Sequence, residues 1–467
     1  MGRYGRPRAQ RSDLASALNA IAHWNSLLEG ADGGRLCASL AAEMRARRLR
    51  FGDRVLCPFL RPFFLTTADE ARVKAVVEQV WTFGERVARA AIDNPAILSD
   101  LGLTEAEIRL ARIDPGYETA STAARADAFI QPDSLQFAEY NGESPAGAAY
   151  SQGLATLFAE QPIMASFRER FGARLFTPVE RILDALLESY REWGGTASPP
   201  RIAIVDWREV PTYSEFEIIR DTFVAAGIPT TICDPRDLDY RPSKELFANG
   251  ERIDLVYRRV LINDILARES DCRALLDAYA DRAVCVANTF RCKIPHKKAF
   301  FAVLTEPRHA ALFNSDEQAL IRRHIPWTVL VEERRISRDG ESFDLIPYLR
   351  NRRDTLVIKP NDEYGGTGVT LGWETDERAW DDAIARALRE RDRGWVAQER
   401  IAVRREVFPI CESGGVVMRD MLVDLAPYVF RGKLAGFLTR LSATGLANVT
   451  SGGGQVPAFV VTDIQSR

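Results

Sequence analysis

The stretch Leu356-Val357-Ile358-Lys359-Pro360-Asn361-Asp362-Glu363-Tyr364-Gly365-Gly366-Thr367-Gly368-Val369 constrains this chain more than any other. An apolar run with β-branched residues ends in a lysine, a turn with three glycines follows, and Val369 opens a second apolar run. β-Branched residues favour the extended chain. Glycines let backbone N–H groups close on an anion, and a lysine at the strand end adds a compact positive charge. The segment therefore predicts strand, anion-gripping loop and strand. Lys359, Gly365, Gly366, Thr367 and Gly368 are the phosphate-binding candidates. GxxxxGK[ST] does not occur, and no G-x-G-x-x-G turn follows the strand, so neither a P-loop nor a dinucleotide fingerprint is present. A structural hairpin with a lysine reaching out to solvent is the bland alternative.

A chain of 467 residues has room for about two to four domains, and its hydrophobic content of 46% suits an ordinary globular core. The 62 basic and 65 acidic residues nearly balance, which argues against an electrostatic nucleic-acid binder. The basic start, Met1 to Arg8, lacks an apolar stretch and reads as a frayed tail, not a secretory signal. No apolar run is long enough for a membrane span. Seven cysteines, with no C-x-x-C pair, are expected as reduced thiols in a cytoplasmic protein. His23, His296, His309 and His324 show no H-x-x-x-H spacing, which argues against zinc hydrolysis and against a histidine-based triad.

Periodicity divides the chain. Residues 1–110 read as a helical region, with capping boxes at Thr67/Glu70 and Thr104/Glu107 and a stripe of Val73, Val76, Val77, Val80 and Val87. Residues 111–195 carry a period-2 hairpin, 125–130 and 135–141 around Gln131-Pro132-Asp133-Ser134, followed by helical patterning over 151–193. Residues 194–200 look like a linker. Residues 201–295 read as a Rossmann-like β–α–β unit without the phosphate fingerprint: strands at 202–206, 229–233, 255–257 and 284–286, and a Ser214/Glu217-capped helix ending at Gly227. Residues 296–467 open with a helix and continue through strands at 327–331 and 395–401 to a glycine-punctuated β-rich end. There are no internal repeats.

Asp127, Glu139 and Asn141 form the second constellation. Glu139 and Asn141 leave one face of a strand, and Asp127 on the partner strand can face them. Three oxygen donors of this kind suit Mg²⁺, which pairs a few carboxylates with substrate phosphates. Arg125 shares the face of Asp127 and is placed to hold a phosphoryl oxygen. A solvated polar strand face is the competing reading. Gln398, Glu399 and Ile401 end a hydrophobic strand and can offer an apolar slot with hydrogen-bonding groups for a base, or simply be a strand end. Arg440, Asn448, Gly452 and Gly453 combine a guanidinium, an amide and a flexible nest for a carboxylate or phosphate, or make a plain glycine-rich hairpin. Arg258-Arg259 and Lys297-Lys298 read as solvated basic pairs, with Lys298 a candidate second phosphate lysine. Tyr150 and Trp207 read as core.

Together these segments resemble the ATP-grasp ligases. Arg125-Ala126-Asp127 with Glu139-Tyr140-Asn141 is similar to the Arg-Ala-Asp…Glu-Ile-Asn segment of D-alanine–D-alanine ligases. Glu139-Tyr140-Asn141-Gly142-Glu143-Ser144-Pro145 is similar to the Glu-Ile-Asn-x-x-Ser-Pro of bacterial glutathione synthetases. Arg440, Asn448 and Gly452-Gly453 resemble their Arg…Asn…Gly-Gly segment. In those enzymes the metal hairpin follows the lysine loop, whereas here it precedes Lys359. The chain thus looks like a circularly permuted ATP-grasp protein of the glutathionylspermidine-synthetase-related type, over about residues 110–467. Ala447 stands near the place of a second arginine in glutathione synthetases, and no amidase segment is found.

The resemblance implies an α/β (α+β) circularly permuted ATP-grasp fold, with a Rossmann-like pre-ATP-grasp domain and an N-terminal helical region. It implies ATP and Mg²⁺ as cofactors, small-molecule carboxylate and amine partners, and ADP-forming amide ligation through an acyl phosphate. Lys298, Lys359, Gly365, Gly366, Thr367, Gly368, Gln398, Glu399 and Ile401 would bind nucleotide, and Asp127, Glu139 and Asn141 the metal. Arg125 and Arg440 would be catalytic, and Ser144, Asn448, Gly452 and Gly453 would contact substrate. A phosphotransferase or a non-catalytic nucleotide-binding relative are the alternatives. Neither the acid, the amine nor an oligomeric state is encoded in a legible motif.

Overall fold

The computed structural model describes residues 8–338, 340–390, 394–412, 415–444 and 453–464. Its centre is a six-stranded sheet. Gly454–Val456, Lys433–Ser442, Gly415–Phe430, Ala123–Ile130 and Leu135–Asn141 run in that order, and Arg404–Glu412 pairs with Gly415–Phe430 off this path. The 123–141 hairpin forms as the alternation predicts, with Asp127 opposite Glu139 and Arg125 opposite Asn141. A register shift between Asp127 and Ala128 interrupts the ladder beside these side chains, the kind of irregularity that re-aims a residue next to a site. Tyr428 pairs with Arg125. The hairpin and the C-terminal strands, far apart in sequence, therefore share one sheet, which is what the permuted reading requires.

The unit after residue 200 is a parallel sheet ordered Cys285–Ala287, Leu255–Arg258, Ile202–Val205, Thr230–Cys233. All four residues of Ile202–Val205 are buried, as a parallel strand covered on both faces demands. Helix Tyr213–Ala225 lacks the expected Ser214/Glu217 box. The Ser214 hydroxyl instead shares a hydrogen bond with Tyr150 at 2.8 Å. A third sheet orders Thr328–Leu330, Trp395–Glu399, Leu356–Pro360 and Thr370–Leu371, with helix Glu377–Arg389 laid on it through buried Trp380 and Ile384.

The first hundred residues depart from the all-helical expectation. Between helices Gly33–Ala46 and Thr67–Ile92 lies strand Phe63–Thr66, whose run Phe63-Phe64-Leu65 is apolar at every position and carries no helical period. It pairs in parallel with Ala458–Asp463, which also pairs with Phe171–Arg174. The latter is a strand inside the stretch read as helical. The helix cap is Thr66, whose side chain accepts from the Asp69 N–H, one residue earlier than predicted. The Thr104/Glu107 capping box is present, and Val73, Val76, Val77, Val80 and Val87 are buried.

Cys37 and Cys411 are joined in a disulfide, with Cα atoms 5.7 Å apart at a sequence separation of 374. This corrects the expectation of seven reduced thiols: helix Gly33–Ala46 packs on the 404–430 hairpin, where Gly33 meets Val416, and the fold brings the two sulfurs together. Cys57, Cys233, Cys272, Cys285 and Cys292 are free and buried. No helix among the described residues is long and apolar enough to cross a membrane.

Candidate functional site

Lys359 ends its strand as the sequence predicts, and its ammonium donates to Gln398 Oε1 at 2.7 Å and to the Ala138 carbonyl at 3.3 Å. Val357 faces Gln398 and Lys359 faces Val396, so Lys359 and Gln398 are diagonal neighbours on one face. Gln398 in turn donates to Thr328 Oγ1 at 3.0 Å. Burial lowers the Lys359 pKa to about 8; Glu139 pulls it back up, while Lys298 lowers it further.

Past Lys359 the chain turns through Gly365, Gly366 and Gly368 at φ of 67°, 77° and 74°. L-residues rarely occupy this region, so the glycines set the loop's shape. A Cβ on Gly368 would lie 2.7 Å from Pro360 Cγ. Asn361, fully buried, fixes the loop's root: its Oδ1 accepts from the Ala299 N–H at 2.8 Å and its Nδ2 donates to the Leu101 carbonyl at 2.8 Å. The Tyr364 ring stands 71% exposed at the tip.

Lys298 reaches the same place from another element. Its ammonium donates to the Glu363 carbonyl at 2.6 Å and lies 3.3 Å from Glu139 Oε2. Burial alone would raise the Glu139 pKa; Lys298, then Lys359, outweigh it and hold the carboxyl well below its ordinary range. Asn141 Nδ2 donates at 3.2 Å both to Asp127 Oδ1 and to Glu139 Oε1. The three predicted oxygen donors are thus within hydrogen-bond reach of one another.

Asp127 is gripped by two arginines. Arg125 Nε donates to its Oδ1 at 2.9 Å, and Arg440 Nη2 bonds its Oδ2. Arg440 also binds Asp424, Nε to Oδ2 at 2.6 Å, from the directly opposite position in the sheet. Asp424 escaped the sequence reading, although a carboxylate inside the apolar run Met421 to Phe430 was itself a signal, since buried Asp is rare without a partner. Its Oδ1 is buried and unpartnered. Burial raises its pKa to about 7, with Arg440 opposing and Asp127 adding to the rise.

These groups line one cavity of about 160 Å³. Its lining includes Lys298, Lys359, Gly365, Gly366 and Thr367, the polar group Asp127, Glu139, Asp424 and Arg440, and the apolar side chains Val357, Leu371, Trp373, Ile401 and Val403. The lining carries four cationic side chains, Lys298, Lys359, Arg400 and Arg440, and five carboxylic ones, Asp127, Glu139, Glu363, Glu399 and Asp424; its positive charge is concentrated at Lys298 and Lys359, beside the glycine loop. Gln398 and Glu399 also line it. Gln398 spends its amide on Lys359 and Thr328, and the Glu399 carboxylate pairs with Arg338 at 2.8 Å, so both side chains are engaged within the protein. Ser144 is not on the cavity: its hydroxyl donates to the Arg259 carbonyl at 2.7 Å. Asn448 and Gly452 lie outside the described residues. Gly453, buried, accepts from Arg54 through its carbonyl just before the strand that flanks Arg440.

Among the described residues no set of three His, Cys, Asp or Glu side chains is arranged to hold a cation by itself. Asp127, Glu139 and Asn141 nevertheless fit Mg²⁺, a hard ion that takes few protein oxygens and completes its shell with phosphates and water.

Two further features were invisible in sequence. Asn288, 2% exposed, stitches both roots of the 123–141 hairpin: its Nδ2 donates to the carbonyls of Ala123, Gly142 and Glu143 at 2.7, 2.9 and 2.9 Å. Its Oδ1 accepts from the Ala123 N–H at 2.8 Å. Arg258, Arg259 and Lys297, read as solvated, are buried. Arg259 Nη1 donates to the Pro145 carbonyl at 2.8 Å and to the Tyr257 hydroxyl at 3.2 Å. Their counterions come from distant segments, which spacing cannot reveal.

Comparison with known proteins bears on the family and the fold. A curated relative, assigned as glutamate–cysteine ligase 2-2 of Frankia casuarinae, is 22% identical over 335 residues, 69% of this chain. The chain spans 36% of that relative's length. The apo structure of a glutathione synthetase-like effector from Globodera pallida superposes with a TM-score of 0.59 at 13% identity, covering 92% of this chain and 98% of that one. A structure assigned as gamma-glutamylcysteine synthetase from Methylobacillus flagellatus KT reaches a TM-score of 0.39 at 10% identity, over 76% and 84% of the two chains. The family model "circularly permuted ATP-grasp type 2" matches residues 112–449, and the chain belongs to that family.

Proposed function

We propose that the protein is an ATP-dependent carboxylate–amine ligase that releases ADP and phosphate. One observation carries this reading: Lys298, Lys359 and the glycine loop open onto the same cavity as Asp127, Glu139 and Arg440. A substrate carboxylate oxygen attacks the γ-phosphorus of ATP, breaking its bond to the β-bridging oxygen, and ADP leaves. An amine attacks the resulting acyl phosphate, loses a proton, and expels phosphate to leave an amide. Such chemistry asks for positioning and charge neutralisation more than for covalent help.

Lys298 and Lys359 bind the nucleotide phosphates. The loop with Gly365, Gly366, Thr367 and Gly368 closes over them and keeps water from the acyl phosphate. Mg²⁺ supplies neutralisation of phosphate charge when bound; Asp127, Glu139 and Asn141 are the residues to hold it. Arg440 and Arg125 already sit beside Asp127 and steady the phosphoryl oxygens and the tetrahedral oxyanion. Gln398, Glu399 and Ile401 form the base-binding wall. Asn448, Gly452 and Gly453 contact the acid, and Ser144 holds the loop that follows the hairpin. The units 1–110, 111–195, 201–295 and 296–467 serve as helical region, hairpin segment, Rossmann-like unit and nucleotide-binding part, and the site of action is the cytoplasm.

The name of the Frankia relative makes amino-acid substrates the first to try. The test is release of ADP from Mg·ATP by the purified protein with pools of amino acids and amines, glutamate with cysteine leading. Release that needs both an acid and an amine, and that disappears in Lys359→Ala, supports the reading. A stable phosphorylated product formed without an amine replaces it with a phosphotransferase, and no release from a protein that binds ATP makes this chain a non-catalytic relative.

A further inference from the structure

Outside the cavity's lining lies a second set of charges that takes no part in the chemistry above. Glu143 follows the metal hairpin two residues after Asn141, and Asp362 lies midway between Lys359 and Gly365. One ammonium joins them: Lys293 Nζ is 3.1 Å from Glu143 Oε2 and 2.9 Å from Asp362 Oδ1. Lys297 Nζ holds the other Asp362 oxygen at 2.7 Å and Glu107 Oε1 at 2.8 Å. Asn263 Nδ2 adds a third bond to Asp362 at 3.0 Å. Glu143 also accepts from the Ile262 N–H and lies 3.5 Å from Arg258 Nη1.

Lys293, Lys297, Glu107 and Glu143 are each at most 3% exposed. Three cations, Lys293, Lys297 and Arg258, match three carboxylates, Glu107, Glu143 and Asp362. His296, placed 3.6 Å from Glu143 and 3.8 Å from Asp362, stays neutral: burial depresses its pKa to about 4. A buried, balanced ion cluster gives little stability over an apolar core of equal volume, because desolvation consumes the Coulomb gain. What it does give is a fixed geometry between the chains that supply its members. Here those chains are the root of the nucleotide loop and the exit of the metal hairpin, and both are pinned to the short segment Lys293–Lys297, which leads directly into Lys298.

We propose that Lys293 is a positioning residue that fixes the nucleotide loop against the metal hairpin, so that ATP and the divalent cation bind cooperatively through it. The proposal rests on the ATP and Mg²⁺ reading of the cavity. With the two elements held in register, phosphates placed by the loop arrive where the hairpin oxygens can share an ion with them. With the bridge cut, each element still binds its own guest, but neither pre-orders the other.

The measurement is the ratio of ATP dissociation constants in EDTA and in saturating MgCl₂, by titration calorimetry, for wild type, Lys293→Arg, Asp362→Asn and the charge-balanced double variant Lys293→Met/Glu143→Gln. The ratio is expected to fall about tenfold in Asp362→Asn and in the double variant, to be largely kept in Lys293→Arg, and the metal-free affinity to stay within about twofold. A merely structural role weakens both affinities alike and overturns the proposal, as does an unchanged ratio in a folded variant; both leave the ATP reading standing. A folded wild type that binds no ATP overturns both. Hydrogen exchange on the wild type is the check that needs no variant. Mg·ATP should protect residues 361–368 and 140–143 together and ATP alone only the former, and protection of both by ATP alone refutes the coupling.

Discussion

Arg440 and Asp127, 313 residues apart in the chain, share a hydrogen bond on one face of the six-stranded sheet. The same guanidinium holds Asp424. A single arginine therefore orders two carboxylates that line the cavity, and any divalent cation that joins Asp127 must compete with it and with Arg125. Two outcomes follow for variants of this pair.

Asp127→Asn keeps shape and removes the charge. The Mg²⁺ concentration that half-saturates its effect on ATP binding should rise on the order of tenfold or more, with metal-free ATP affinity little changed. Titration of Mg²⁺ at fixed ATP measures it, and an unchanged midpoint would remove Asp127 from the metal site. Arg440→Lys keeps charge but loses the fork. Turnover should fall on the order of a hundredfold with a much smaller change in ATP affinity.

With Lys359 on the phosphates, as proposed, nucleotide affinity should depend on pH. Its pKa is lowered by burial to about 8 in the free protein. Phosphates beside it favour the charged form, so binding raises that pKa and takes up a proton when the solution is above about pH 8. Affinity is full below this pH and falls above it, by up to about tenfold per unit. Calorimetry at about pH 9 in two buffers of different ionisation enthalpy should show the uptake, and Lys359→Met should abolish it. An affinity flat from about pH 7 to 9.5 would refute the assignment.

Gly368→Ala forces a side chain onto a backbone at φ 74° and into Pro360. The left-handed conformation alone costs about 1–2 kcal/mol for an L-residue. The loop should shift or open, weakening ATP binding while the melting temperature of the rest changes little. Gly415→Ala, where nothing lies within 4 Å of the added carbon, is the matched control.

The Cys37–Cys411 bond ties helix Gly33–Ala46 to the 404–430 hairpin. Alkylation of the oxidised, denatured protein should label five of the seven thiols. Reduction should lower stability by about 2–4 kcal/mol, and Cys37→Ser should make the melting temperature indifferent to reductant. Seven labelled thiols in protein purified without reductant would contradict the bond.

What was legible in the sequence was what lies within a few residues of itself. The strand, Lys359 and the three glycines declare a loop, and Asp127 with Glu139 and Asn141 declares a hairpin face, because period 2 and glycine conformation are local properties. Lys293, Asp362, Asn288 and Arg258 were not legible as site supports. Each is defined by partners from remote segments, and a basic pair such as Lys297-Lys298 reads as a solvated face until Glu107 and Asp362 are seen packed against Lys297. Phe63–Thr66 and Phe171–Arg174 were missed because short edge strands owe their form to the strand they flank, not to their own pattern.

That flanked strand has a consequence for synthesis. Ala458–Asp463 is the middle member of its three-stranded sheet, and both neighbours leave the ribosome long before it does. Until it arrives, Phe63, Phe64 and Leu65, all buried in the finished fold, have no ladder to join and present an open apolar edge of the kind that recruits other chains. A nascent chain halted before Ala458 is thus a candidate for aggregation and for chaperone capture.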